Sequence, residues 1–420
     1  MLLFRRPKGT SDIYGTNMLK TKHIEEILKE MMLNWGYSEI RTPIFEFTEL
    51  FDRSVGNTSD IVQKEMYTFQ DKGGRNLTLR PEGTAPVVRA YLENALTNYG
   101  KPLRLFYLGP MFRYERPQAG RTRQFQQFGI ELIGSASPLA EVEVFQILID
   151  MLGRLDIKDW QFHVNTVGCQ NCRNKYLKVL KEYYRPLLPK LCSDCQHRFE
   201  TNILRLLDCK NPQCAPYKKD APHFVDHVCE DCKSHFNEVI SSLDALHIPY
   251  VLDHYLVRGL DYYTRTAFEV KYRTGSQDAL LGGGRYDLLI EQFGGNPTPA
   301  IGFAISIERL LLASKDTDLF SEHPLVYVIT FDEYRLQGVK LAFELRKVGI
   351  PAITDVMGRN LSSQMKEANR LGVSYVIIVG KEEIESDKLS VKDMKSGEQS
   401  LVDREKIREY MITLQKDANG

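Results

Sequence analysis

All eight cysteines of this chain fall between positions 169 and 232. They come as Cys169-x-x-Cys172, Cys192-x-x-Cys195, Cys209-x4-Cys214 and Cys229-x-x-Cys232. A cytosolic chain keeps its thiols reduced, so a disulfide framework is the weaker reading. Nineteen residues separate Cys172 from Cys192, a spacing that fits the paired knuckles of a zinc ribbon. Two tetrahedral Zn2+ sites of four thiolates each, closed and therefore structural, would use all eight. Reduced thiols without metal are the plainer alternative. Spacing does not say which pair shares an ion with which.

A second chemical signal is positive charge. Arg113, Arg116, Arg121 and Arg123 lie within eleven residues of a chain that is otherwise electrically neutral. They sit in and beside a loop between two alternating apolar runs, 103–115 and 124–133, which read as an antiparallel strand pair. Strand alternation places Gln127, Gly129 and Glu131 on one face and Phe128, Ile130 and Leu132 on the other. A packed apolar face backed by a polar row and a set of guanidinium forks suits an anionic, phosphate-bearing ligand. Arg258 lies between Leu256-Val257 and Gly259-Leu260, a poor setting for a surface ion pair. The triplet Gly282-Gly283-Gly284 before Arg285-Tyr286 permits close approach of backbone to a ligand, or serves a tight turn.

The elements that must hold these groups can be read from periodicity. Ile24, Ile27, Leu28, Met31 and Met32 recur at helical spacing and stop near Gly36. Residues 37–47 read as one strand carrying Pro43, which belongs at an edge or bulge. Helices are expected near 84–96, from about 137, and at 301–314, where Ile301, Ala304, Ile305, Leu310 and Leu311 would face a core. The cysteine block is mostly helical and charged, and sheet-like sequence resumes over 250–284. A polar stretch follows, and the tail then alternates: strand 325–330, helix 333–348, strand 351–355, helix 361–371, strand 374–380 and a helix near 403–414. That alternation implies a small α/β domain. The domains expected are 1–160, an insertion over 161–245, a return to the core over 246–316, a linker at 317–324 and a tail domain at 325–420.

Composition bounds the rest. Lys plus Arg total 55 and Asp plus Glu total 55, so gross basicity gives no argument for nucleic acid. The tail carries 15 basic and 15 acidic residues, equally without bias. With 420 residues and a 43% apolar content, two or three ordered domains are expected rather than disorder or a rod. No run approaches the roughly 20 apolar residues of a bilayer helix. The amino terminus lacks the charge order and apolar length of a signal peptide. No membrane association is expected, and the cytoplasm is the expected compartment.

The segment Arg113 to Glu131 resembles motif 2 of the class II aminoacyl-tRNA synthetases, in the form found in the histidyl-tRNA synthetase family. Thr78-Leu-Arg80-Pro-Glu82-Gly-Thr84 is similar to that family's amino-acid-binding turn. Leu256-Val-Arg258-Gly-Leu-Asp261-Tyr262-Tyr263 resembles its histidine signature, Gly302 to Leu310 its motif 3, and 37–47 its motif 1, the dimer element. The resemblance implies an α+β class II catalytic core, an antiparallel sheet flanked by helices. A mainly helical insertion and a C-terminal α/β anticodon-binding domain complete it.

The resemblance also assigns roles. It implies a homodimeric histidine–tRNA ligase that uses ATP with Mg2+, L-histidine and tRNA(His). Arg113, Arg258 and Arg309 would be catalytic and, with Glu115, hold ATP: Arg113 on the α-phosphate, Arg309 on the γ-phosphate, Arg258 near the reacting carboxylate. Glu82, Thr84 and Gln127 would hold the substrate amino group, and Glu131 and Tyr263 would read the imidazole. Tyr262, Gly283 and Gly284 would complete that pocket. Arg116, Gln118 and Arg121 would meet the tRNA acceptor end. The zinc ligands Cys169, Cys172, Cys192, Cys195, Cys209, Cys214, Cys229 and Cys232 rest on the sequence alone, since many family members lack them. Two other readings compete. One is a histidine-binding regulatory paralogue without catalysis, which would degrade the arginines and drop the tail. The other is a zinc-ribbon nucleic-acid module, against which the polar pocket argues.

Overall fold

The helical spacing near the amino terminus becomes the helix Thr16–Asn34, which buries Ile24, Leu28, Met31 and Met32. Gly36, at φ 75°, ends it: its N–H bonds to Leu33 O, while Tyr37 N–H reaches Met32 O, a Schellman cap. The computed structural model describes residues 3–55, 61–274, 277–314 and 325–419. They form two compact units, Met1–Asp318 and Leu319–Gly420. The expected linker at 317–324 lies outside the described residues.

The first unit is built on an eight-stranded sheet. Its strands run in the order Ser38–Glu39, Leu103–Phe112, Gln124–Ile133, Ala300–Ser306, Gln277–Arg285, Thr264–Thr274, Trp160–Gly168 and Tyr250–Leu252. The two outermost pairings are parallel and the rest antiparallel. One face buries Phe128, Ile130, Ile301, Phe303 and Ile305 in a core with Leu28, Met32, Phe145 and Leu148. That leaves the other face for polar groups.

Three expectations change here. The stretch 37–47 is not one strand: Ser38–Glu39 joins the large sheet, while Phe45–Phe47 joins a separate three-stranded sheet. Between them Pro43, without an N–H, cannot continue a ladder, and the guanidinium of Arg80 donates to the carbonyls of Thr42 (2.9 Å) and Pro43 (3.4 Å). The expected helix 301–314 is a strand, Ala300–Ser306, followed by a helix, Ile307–Ala313. A continuous apolar run suits a central strand as well as a helix, and Ser306 marks the change by accepting the N–H of Arg309 at 3.2 Å. Finally, the boundary expected at 161 falls inside a strand of the main sheet, Trp160–Gly168. The helix Glu230–Ala245 sends Phe236, Val239 and Leu243 into the main core, so the cysteine block is seated in this unit.

In the second unit Ala352–Thr354, Val326–Thr330 and Tyr375–Val379 are parallel neighbours, as the alternation implied. Helices Arg335–Lys347, Leu361–Arg370 and Ile407–Asn419 accompany them. A hairpin, Lys388–Asp393 with Gln399–Asp403, extends the sheet antiparallel and was not expected. Its strands are short and carry Lys, Ser and Asp, which blurs the apolar alternation.

Candidate functional site

The polar face of the large sheet is organised by cross-strand register. One row reads Tyr107, Gly129, Ala304, Gly282, Glu269, and the next reads Leu105, Glu131, Gly302, Gly284, Ala267. Small residues occupy the middle of both rows because large side chains lie over them. A Cβ on Gly129 would strike the Tyr107 ring, one on Gly302 the Glu131 carboxylate, and one on Gly282 the Arg258 guanidinium. The sheet thus forms the floor of a cavity of about 850 Å3.

At one end lies an acid pocket. Glu131 is 1% exposed and accepts the Thr84 hydroxyl at 2.7 Å and the Tyr286 hydroxyl. Burial, aided by the nearby Glu82 charge, lifts its carboxyl to about 8 despite those two donors. Glu82 accepts the N–H groups of Thr84 (2.6 Å) and Ala85 (2.8 Å), capping the helix Thr84–Glu93. Gln127 Oε1 accepts the Gly83 N–H at 3.1 Å and the Tyr107 hydroxyl at 3.3 Å. Tyr262 and Tyr263, ring centroids 4.8 Å apart, are buried beside them. Carboxylates, hydroxyls and aromatic rings here surround a space fit for a small polar ring.

Beside this pocket lie the guanidinium groups, with Arg258 5.9 Å from the Tyr263 ring. Arg113 donates to Pro81 O at 2.8 Å and lies over the Phe125 ring at 5.4 Å. Arg258 pairs with Glu269, and its Nε is buried without a hydrogen-bond partner. Arg309 donates to Gly120 O (3.3 Å) and Ala279 O (3.0 Å). Burial and then the neighbouring charges of Arg121 and Arg113 bring Arg309 down to about 10. Three buried or half-buried cations facing one cavity, with Arg121 at its edge, form a site for a polyanion.

The cysteines resolve into two groups of four: Cys169, Cys172, Cys229 and Cys232, and Cys192, Cys195, Cys209 and Cys214. The ligand atoms of each group lie within 4.8 Å of one another. The outer two pairs form one group and the inner two the other, which decides the pairing that spacing left open. Cys169, Cys192 and Cys229 each stand as the N-cap of a helix, at the positive end of its dipole. Cys172 Sγ accepts the Cys229 N–H at 3.0 Å, and Cys214 Sγ the Cys192 N–H at 3.3 Å. Sulfur separations of 3.5 Å (Cys169–Cys172) and 3.9 Å (Cys192–Cys209) fit the edge of a tetrahedral thiolate site.

The cavity therefore gathers Glu82, Thr84, Arg113, Glu115, Arg121, Gln127, Arg258, Tyr262, Tyr263 and Arg309 from four separate stretches of sequence, with the Glu131 carboxyl held by Thr84 and Tyr286 of its lining. A family model described as histidyl-tRNA synthetase matches residues 9–310, and one described as anticodon binding domain matches 325–414. The chain belongs to the histidyl-tRNA synthetase family. It is similar to a histidine–tRNA ligase of Thermotoga petrophila, 50% identical over 413 residues that cover 97% of this chain and 98% of that one. The solved apo histidyl-tRNA synthetase of S. aureus is 39% identical, with a TM-score of 0.81 over 97% of this chain and all of that one. A Bacillus halodurans structure titled as an ATP phosphoribosyltransferase regulatory subunit/histidyl-tRNA synthetase is 24% identical (TM-score 0.63, covering 91% and 99%) and shows the fold alone.

Not every expected residue of this synthetase-family chain reaches the cavity. Gly283 and Gly284 are absent from its lining: Cβ atoms there would meet Phe268 and Phe303, or Thr266 O and Tyr263. Gly282 lines it instead, and it makes room for Arg258 more than for a ligand. Arg116 and Gln118 are exposed in the loop outside, and only Arg121 of that trio lines the wall. Glu308 is structural, tying Gln126 N–H (2.9 Å) to the Ser306 hydroxyl (2.8 Å). Sequence reasoning missed Glu269, whose signal was an acid inside the apolar run Ala267 to Val270. It also missed Tyr286 as the Glu131 donor, and the approach of Arg205 and Lys210 from the cysteine block to the cavity wall.

Proposed function

We propose that the chain activates L-histidine with ATP and transfers it to the 3′ end of tRNA(His). The observation that carries this is the convergence of Arg113, Arg258 and Arg309 on the cavity that also holds the pocket of Glu131, Thr84 and Tyr263. A histidine carboxylate oxygen attacks the α-phosphorus, the bond from that phosphorus to the bridging oxygen breaks, and pyrophosphate leaves with the electron pair. A hydroxyl of the terminal tRNA ribose then attacks the acyl carbon and AMP leaves. Both partners of the first step are anions, so the protein's task is to neutralise and align them.

In this reading Arg113 and Arg309 hold the α- and γ-phosphates, which relieves the repulsion among the cavity's cations. Arg258, its charge secured by Glu269, bridges the carboxylate and the α-phosphate through paired donors. Glu131 accepts an imidazole N–H while Tyr263 addresses the ring, and Glu82, Thr84 and Gln127 take the amino group. A pocket that satisfies both ring nitrogens rejects analogues lacking them, because its own buried groups would go unpaired. The class II kinship implies ATP with Mg2+. Glu115, whose Oε2 lies 3.3 Å from Arg121 Nε and accepts no hydrogen bond, offers the hard carboxylate oxygen that ion prefers, and the ion would supply charge neutralisation at the phosphates.

The two groups of four cysteines are read as structural Zn2+ sites. In this reading the loop residues Arg116, Gln118 and Arg121 meet the tRNA acceptor end, and residues 325–414, which match the anticodon-binding model, meet the anticodon. Exposed Ile44, Phe45, Phe47 and Phe69 on and beside the small sheet suit burial against a second copy, giving a homodimer. No helix among the described residues is long and apolar enough to cross a membrane, and reduced thiol sites suit the cytoplasm. The test is amino-acid-dependent exchange of pyrophosphate into ATP, followed by charging of tRNA. Exchange with histidine alone among the common amino acids is expected. No exchange by metal-replete protein, or equal exchange with another amino acid, refutes the assignment.

A further inference from the structure

The segment 253–263 carries Arg258, Tyr262 and Tyr263 yet contains no regular secondary structure. Something else must fix it, and the cysteine block holds it at both ends. In its first half, His223 stacks on His254 with ring centroids 4.2 Å apart, and the Tyr255 hydroxyl donates to Lys219 O at 2.7 Å. In its second half the anchor is Asp261. Arg173 donates to the Asp261 carbonyl at 2.8 Å and to Oδ1 at 3.2 Å, and Asn202 Nδ2 reaches the same Oδ1 at 3.2 Å.

The two donors have informative positions. Arg173 follows Cys172 directly, in the first turn of the helix Gln170–Tyr184 that Cys169 caps. Asn202 ends the helix Ser193–Thr201, which Cys192 caps, and lies in the stretch between Cys195 and Cys209 that the second cluster closes. Each cluster thus sets one arm of the clamp on Asp261. Four thiols within 4.8 Å repel one another once ionised, and a bound divalent cation turns that repulsion into a crosslink that orders its surroundings.

We propose that metal ions in the two cysteine clusters set the position of the loop bearing Arg258, Tyr262 and Tyr263, through Arg173 and Asn202 acting on Asp261. Arg173, Asn202 and Asp261 are positioning residues, and the clusters are remote supports of the active site. The link to catalysis rests on the role proposed above for Arg258, while the link from metal to loop does not.

Hydrogen exchange of the full chain, read by mass spectrometry on peptides spanning 256–263, separates the two. Zinc-loaded protein should carry two ions per chain. Stripping them with a chelator should speed exchange of those peptides about tenfold or more, and returning Zn2+ should restore protection. Peptides from the second unit should not change. Because stripped protein can unfold, Arg173→Ala in the zinc-loaded chain supplies the second arm: two ions retained, the same loop peptides loosened. Fewer than two ions, loop exchange indifferent to metal, or an undisturbed loop in Arg173→Ala would each overturn the proposal. A loop that follows metal in a chain without histidine-dependent exchange would support it and refute the ligase reading instead.

Discussion

Gly282 offers a way to move Arg258 without changing it. Gly282 lies on the strand Gln277–Arg285, beneath the guanidinium and across from Glu269. A methyl there would stand well inside carbon contact distance, about 3.5 Å, of Arg258 Cζ, Nη1 and Nη2 at once. The backbone is held on both sides by Ala304 and Glu269, so the guanidinium must retreat by about 1 Å. A displacement of that size at a reacting centre costs about 10²-fold in rate. The overpacking itself costs about 1–3 kcal/mol, which leaves the chain folded. Histidine-dependent pyrophosphate exchange should therefore fall about a hundredfold in Gly282→Ala, with histidine affinity changed far less. The same substitution placed on Arg258→Ala should add almost nothing, since the group it displaces is gone. Full activity in Gly282→Ala, or an undiminished penalty in the double variant, refutes the claim that this glycine serves Arg258.

Glu131→Gln should show a pH signature. Burial raises the Glu131 carboxyl from 4.5 to about 8, so between those values the folded chain keeps a proton that the unfolded chain has lost. Stability then falls as pH rises across the window, at about 1.4 kcal/mol per pH step at most. The variant removes that slope: thermal melts should show it gaining on the parent from pH 5 to pH 8, while histidine binding is lost, and parallel curves would contradict this. Arg309→Gln should cost about 10²–10³-fold in adenylate formation yet change stability by under about 1 kcal/mol, because it relieves repulsion from Arg121 and Arg113. Equal losses of stability and activity would make it structural. Glu141→Gln should destabilise by about 2–3 kcal/mol, since it strips fully buried Arg285 of one of its two charge partners, 2.7 Å away, and leaves Asp287 at 3.1 Å. A melting midpoint shifted by less than about 2 °C would contradict that.

Much of the site was legible because its chemistry is concentrated in short runs. Alternation alone put Gln127, Gly129 and Glu131 on one face, and register places those three on the cavity side. The arginines were legible as charge out of context. What sequence could not give was pairing across distance. Glu269 needs the strand Thr264–Thr274 beside Gln277–Arg285 before its link to Arg258 exists. The nesting of outer and inner cysteine pairs depends on where three helices begin. Apolar runs misled where both faces are covered: Ala300–Ser306 lies mid-sheet between packed and polar layers, so its continuous apolar pattern carried no strand signature. Gly282 to Gly284 read as room for a ligand, but the space serves the protein's own Arg258, Phe268 and Tyr263.

The central claim is that guanidinium groups from distant parts of the chain act together on one nucleotide beside the histidine pocket. It is tested most directly by single-turnover formation of histidyl-adenylate in Arg258→Ala, with histidine binding followed in the same samples by calorimetry. The expected result is a rate, at saturating histidine, at least a hundredfold below the parent, with histidine affinity weakened by only about tenfold as the guanidinium's contact to the carboxylate is lost. An unchanged rate, or a loss of histidine binding large enough to explain the whole decrease, would contradict it.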